Sequence, residues 1–303
     1  MPHSARVERI AFRSGGDLLV GNLHLPTGAS GPVRAVAVAG SWSTVKEQMA
    51  GGYAAGLAAR GIAALAFDFR GYGESGGLPR DFESPVRKIE DLRNAITFLE
   101  GHPDVDSHAI GLLGVCAGAG YAAVAAAEDR RVTSLGLVAP WLHDAALVEA
   151  VYGGADGVRS RIRRGDAAAR EYERTGRVDY VPVSSDTEEA AAMYGRCEYY
   201  LDPARGGIAE WSNRFAVMAW PGWLRFDPIS AAARITAPTL LVHSPDAAIP
   251  DGARRFQARL AGPGELRWLS GIQFDFYDQD PASLALAAVA EHFHGSAPVT
   301  AGR

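Results

Sequence analysis

The stretch Ile110-Gly111-Leu112-Leu113-Gly114-Val115-Cys116-Ala117-Gly118-Ala119-Gly120-Tyr121 decides the fold. Its apolar opening reads as a buried strand, and the small residues after Gly118 read as a helix. Between them, glycines stand two before and two after Cys116, the pattern G-x-S-x-G with cysteine in the place of serine. That spacing suits a sharp, strained strand-to-helix turn, because side chains at the glycine positions would strike the strand and helix packed there. Cys116 is then expected to stand exposed as a nucleophile above a helix N-terminus. Peptide dipoles there favour negative charge, so a lowered thiol pKa is expected. A small buried core cysteine is the plainer alternative.

Strands and helices alternate on both sides of this turn. Residues 7–12 and 18–25 read as a hairpin, and residues 34–39 as a third strand. A helix with Val45, Met49, Tyr53 and Leu57 on one face follows, closed by Gly61. Residues 62–67 form an unbroken apolar run, as a strand buried on both faces should, and lead into the loop Asp68-Phe69-Arg70-Gly71-Tyr72-Gly73-Glu74-Ser75. Val86, Ile89, Leu92, Ile96 and Leu99 mark the helix before the central turn. Residues 132–139 are a further strand. The alternation then stops, with charged helical pieces expected at 168–174 and 188–194 and an aromatic tail of Trp211, Phe215, Trp220, Trp223 and Phe226. It resumes with strands at 239–243 and 265–269 and helices at 252–260 and 282–293, before a frayed tail at 296–303.

The expected class is therefore α/β: a mostly parallel sheet of about eight strands with helices on both faces. The core comprises residues 1–144 and 228–303, and residues 145–227 are a helical cap insertion over the C-terminal strand ends, where such sheets bind ligands. Trp141, Trp220, Trp223 and Tyr121 are the candidate substrate-binding aromatics. Burial in a small core of the insertion explains the cap aromatics equally well.

The chain of 303 residues is 48% hydrophobic and 21% charged, with a net charge of -5. That charge argues against nucleic acid as a partner. No run of 18 apolar residues is present, so no membrane span is expected, and the first nine residues carry no secretory signal. The only cysteines, Cys116 and Cys197, suggest no disulfide framework, and a cytoplasmic setting is the default. The expected partner is a small-molecule acyl substrate, free or carrier-bound; a homodimer is compatible, and neither cofactor nor metal is called for. The pair His292 and His294 is too small a ligand set.

The turn, the D-x-R-G-x-G-x-S loop and the strand order together resemble the α/β-hydrolase superfamily over nearly the whole chain, and within it the dienelactone-hydrolase-like branch. The resemblance implies Cys116 as nucleophile. It implies Asp246, in Asp246-Ala247-Ala248-Ile249-Pro250, as the triad acid, with Asp144 as a rival. It implies an oxyanion hole from the backbone N–H of Ala117 with that of Ser41 or Trp42. The triad histidine is the departure: Gly271-Ile272-Gln273-Phe274-Asp275-Phe276-Tyr277 puts glutamine in its place. Gln273 can hydrogen-bond but cannot accept a proton near neutral pH. Either a thiolate attacks unaided, or His143 or His243, each ending a strand, supplies the base. Ester, thioester or lactone processing is the first expectation; non-hydrolytic elimination, cyclisation or acyl transfer on a specialised metabolite is the second. The basic run Arg159, Arg161, Arg163 and Arg164 reads as a solvated helix face or, alternatively, a phosphate contact.

Overall fold

The computed structural model describes residues 5–296; His3 and the tail at 297–303 lie outside them. Eight strands form the main sheet: β1 (Ala5–Ser14), β2 (Asp17–Pro26), β3 (Val33–Ala39), β4 (Ala63–Phe67), β5 (Val105–Val115), β6 (Val132–Val138), β7 (Thr239–His243) and β8 (Gly264–Trp268). Their order is β1-β2-β4-β3-β5-β6-β7-β8. Only β1 and β2 run antiparallel to their neighbours. Every residue of β4, β6 and β7 is buried, which explains why these segments, His243 at the end of β7 apart, are continuously apolar or small instead of alternating.

The glycine-rich loop after β4 is a mechanical joint. Asp68 is fully buried; its Oδ1 accepts from the Lys46 N–H and its Oδ2 from Lys46 Nζ, both at 2.8 Å. Ser75 Oγ accepts from the Val20 N–H, tying the loop to β2, while Arg70 reaches Asp91 on the following helix, Pro85–Glu100. These contacts fix the loop between two layers of the core.

Residues 145–227 lie outside the main sheet. A long helix, Gly154–Thr175, absorbs the piece expected at 168–174. The helix expected at 188–194 does not form. Instead Ser185 Oγ accepts from the Thr187 and Glu188 N–H groups, and the Met193 N–H is drawn to Val183 O as a short strand. The first helix also starts later than its apolar pattern suggests, at Met49. Among the described residues no helix is long and apolar enough to cross a membrane.

Candidate active site

Cys116 ends β5 and opens the helix Ala117–Glu128 at φ 55°, ψ -118°. A non-glycine residue in that region is strained, and only dense surroundings hold it there. A Cβ on Gly114 would lie 2.4 Å from Ala119 Cα, and one on Gly118 would lie 2.3 Å from Ala39 O. Both glycines are therefore demanded by backbone contact.

The thiol is not exposed as the sequence suggests. Cys116 is 7% exposed, on a cavity that residues from the segment 145–227 help to line. It faces a cavity of about 160 Å³, walled on the core side by Ser41, Trp42, Ala117, Trp141, Ala248, Gln273, Phe274 and Tyr277. Tyr152, Met193, Tyr200 and Trp223 close it from the insertion. None of these residues is charged. Burial pushes the Cys116 thiol pKa up, and the neighbouring polar groups of Ser41, Tyr277, Ala117 and Gln273 offset part of that rise. The shift is thus upward where a lowered pKa was expected, because loss of water outweighs those polar neighbours.

Gln273 sits on the cavity with Cys116, but both ends of its amide are engaged. Oε1 accepts from the Ala248 N–H at 3.1 Å, and Nε2 donates to Ala139 O at 2.8 Å. The glutamine thus stitches the loop after β7 to the end of β6. Asp246 does not meet it. Its carboxylate is exposed and has no hydrogen-bond or ion-pair partner among the described residues; its N–H bonds Ser244 Oγ, making a local turn. Asp144 caps the helix Ala145–Val151 through Leu147 N–H and pairs with Arg255.

Neither candidate histidine lines the cavity. His143 accepts from Trp141 Nε1 at 2.9 Å and shares its Nε2 with Trp223 O at 3.2 Å, so both ring nitrogens are spent. His243 Nε2 meets Ala248 O at 3.1 Å, and its ring stacks on Trp268. Burial lowers the pKa of each to about 4. Both rings are thus held by neighbouring indoles and backbone carbonyls, away from the cavity wall.

Of the four aromatics, Trp141 and Trp223 line the cavity. Trp220 backs its wall, with its ring 5.8 Å from Trp42. Tyr121 does not reach it: fully buried, its hydroxyl donates to Glu83 Oε1 at 2.5 Å. Glu83 is the centre of a network that sequence reasoning missed. It also accepts from the Ser43 N–H and Lys88 Nζ, each at 2.8 Å, from Ser43 Oγ at 2.9 Å, and from Tyr72 OH at 3.1 Å. Ser43 stands at φ 53°, so this buried carboxylate pins the strained loop carrying Ser41 and Trp42. Desolvation lowers the Lys88 pKa against the pull of Glu83. Tyr277 was also missed; it lies on the short helix Asp275–Asp278 just after Gln273. In the basic run, Arg161 lies over the Tyr152 and Trp220 rings at 5.3 and 5.5 Å.

A strained elbow at the C-terminal edge of a mainly parallel eight-stranded sheet defines an α/β-hydrolase fold. Residues 47–272 match the family described as serine aminopeptidase, S33, and the chain belongs to that α/β-hydrolase family. The uncharacterized protein PA2218 of Pseudomonas aeruginosa is 39% identical over 138 residues, 44% of this chain and 37% of that protein. A crystal structure titled as hypothetical protein PA2218 superposes with a TM-score of 0.83 at 24% identity, covering 98% of this chain and 96% of that one. Thiohydrolase aneE of Aspergillus aculeatus is 40% identical over 134 residues, 44% of this chain and 39% of that protein. Acyltransferase drtE of Aspergillus calidoustus is 35% identical over 109 residues, 36% of this chain and 35% of that protein. The chain thus spans between a third and two fifths of the length of these curated relatives.

Proposed function

We propose that this protein is an acyl-processing enzyme of the dienelactone-hydrolase-like type, in which Cys116 attacks an ester, thioester or lactone carbonyl and holds the acyl group. The observation that carries this reading is Cys116 itself: a strained elbow residue on an uncharged, aromatic cavity, at the N-terminus of the helix Ala117–Glu128. That N–H, with the N–H of Ser41 or Trp42, receives the developing oxyanion. The wall selects an apolar or aromatic acyl group with no charge, because an unpaired ion has no partner there. The names of the thiohydrolase and acyltransferase relatives support acyl chemistry.

The same cavity favours a fate other than hydrolysis. No imidazole or carboxylate lines it to activate water, so transfer to a second substrate, or a cyclisation or elimination, competes with release as free acid.

The test is intact mass spectrometry after mixing with apolar and aromatic thioesters, free and carrier-bound. One acyl mass is expected on wild type and on Cys116→Ser at a far lower rate, with none on Cys116→Ala. Cys197, buried with its sulfur 4.0 Å from Met193 O, should be dispensable. A wild type that takes no acyl group, or an equal adduct on Cys116→Ala, overturns the reading.

A further inference from the structure

An attack by Cys116 has a proton to dispose of, and the groups nearest the sulfur that can move one are hydroxyls. Ser41, Tyr200 and Tyr277 all line the cavity and are all buried. Tyr200 OH donates to Ser41 Oγ at 2.8 Å, and Ser41 Oγ lies 3.2 Å from Tyr277 OH. The Ser41 and Tyr277 hydroxyls share the wall of that cavity with Cys116. A serine oxygen offers two lone pairs and one proton. When Tyr200 and Tyr277 both donate to it, the Ser41 proton is left to point into the cavity. The Tyr277 oxygen then keeps a lone pair for the thiol.

Resting on the nucleophile reading above, we propose that Tyr277 and Ser41 form a proton relay for Cys116, with Tyr200 positioning Ser41. As the bond from sulfur to the acyl carbon forms, the thiol proton passes to the Tyr277 oxygen. The Tyr277 proton passes to Ser41 Oγ. The Ser41 proton passes to the departing thiol or alcohol as its bond to the acyl carbon breaks. The products are acyl-cysteine and a neutral leaving group, and each hydroxyl ends with one proton. Such a relay never places a net charge on the site, which suits walls that hold no counter-ion. Burial holds both tyrosines well above the ordinary phenol pKa, so neither works as a phenolate.

The experiment measures acylation rates by rapid quench and intact mass, using thioesters that share one apolar acyl group and differ in the leaving thiol. Tyr277→Phe and Ser41→Ala should each slow acylation by about a hundredfold with an alkyl thiol, which must be protonated as it leaves. With an aryl thiol, which can depart as its anion and take up the relayed proton afterwards, the loss should be smaller, because only removal of the Cys116 proton then depends on the relay. A solvent deuterium effect on wild-type acylation should vanish in both variants, and Tyr200→Phe should show the same leaving-group dependence at a smaller amplitude. Ser41→Ala keeps the backbone N–H and adds no bulk, so it tests the relay even where Tyr277→Phe folds poorly. A loss that is equal for every leaving group means packing alone and overturns the relay. So does wild-type speed in both variants. A wild type that forms no adduct overturns the nucleophile reading and the relay with it, whereas normal wild-type acylation beside unaffected variants overturns the relay alone.

Discussion

On one side of the cavity the elbow around Cys116 is held by backbone against backbone, with Gly114 and Gly118 packed where no side chain fits. On the other side Ala248, Gln273 and Tyr277 are brought together by an amide bridge and hydroxyls. The first arrangement admits no exchange of residues without moving a strand. The second is made by side chains, so one hydrogen-bonding set can replace another while the loops keep their path. That difference accounts for an elbow that keeps both glycines beside an acid–base set that is absent from its expected places.

The strongest way to break this comparison is Gly118→Ala. Its new Cβ would meet Ala39 O and Gly40 O at 2.3 and 2.4 Å, so the end of β3 and the loop carrying Ser41 and Trp42 must shift. The expected result is loss of the acyl adduct and a destabilisation of about 3 kcal/mol, read from urea unfolding. Full activity and an unchanged midpoint would show that the elbow is no more constrained than the loops.

The loop side should respond to rebuilding. Gln273→His alone lacks a carboxylate partner, since Asp246 points to solvent. Residue 248 already meets position 273 through its N–H and lines the cavity. We therefore expect less than tenfold more free acid from Gln273→His and about a hundredfold more from Gln273→His combined with Ala248→Asp. Equal release from the single and double variants would show that residue 248 does not occupy the acid's place.

A third effect concerns the two buried histidines, His143 and His243. Unfolded, each protonates near pH 6.5; folded, each resists until about pH 4. Between those values the unfolded chain binds more protons. Their contribution to stability is therefore complete above pH 6.5 and is lost as pH falls toward 4, by ~1.4 kcal/mol per unit for each histidine. Urea midpoints at pH 7.5 and 5 should show the drop, and His243→Gln should reduce it. An unchanged slope in that variant would mean that His243 is protonated in the folded protein.

The parallel sheet was legible in the sequence because strands buried on both faces leave continuous apolar runs, as at residues 63–67 and 239–243. The elbow was legible because its steric limits write glycines at fixed offsets. The burial of Cys116 was not, since its cover comes from Tyr152, Met193, Tyr200 and Trp223, whose segment has no period that says where it docks. The D-x-x-I-P spacing at Asp246 describes a turn as well as a triad acid, and spacing alone does not tell the two apart; Ser244 Oγ takes the Asp246 N–H and closes that turn. The hydroxyl cluster joins Ser41, Tyr200 and Tyr277 from three distant parts of the chain, and no local pattern announces such a meeting.

The tryptophans around the cavity have an optical consequence. Of six in the chain, Trp42, Trp141 and Trp223 line the cavity. The Trp42 ring centre lies 5.3 Å from that of Trp223 and 5.8 Å from that of Trp220. Indoles this close couple their transitions, and fixed packing gives them a near-ultraviolet circular dichroism signal. An occupant must slide against those rings, so filling the cavity changes both that spectrum and the intrinsic fluorescence. The protein carries its own unlabelled reporter of occupancy, readable in a cuvette before any product forms.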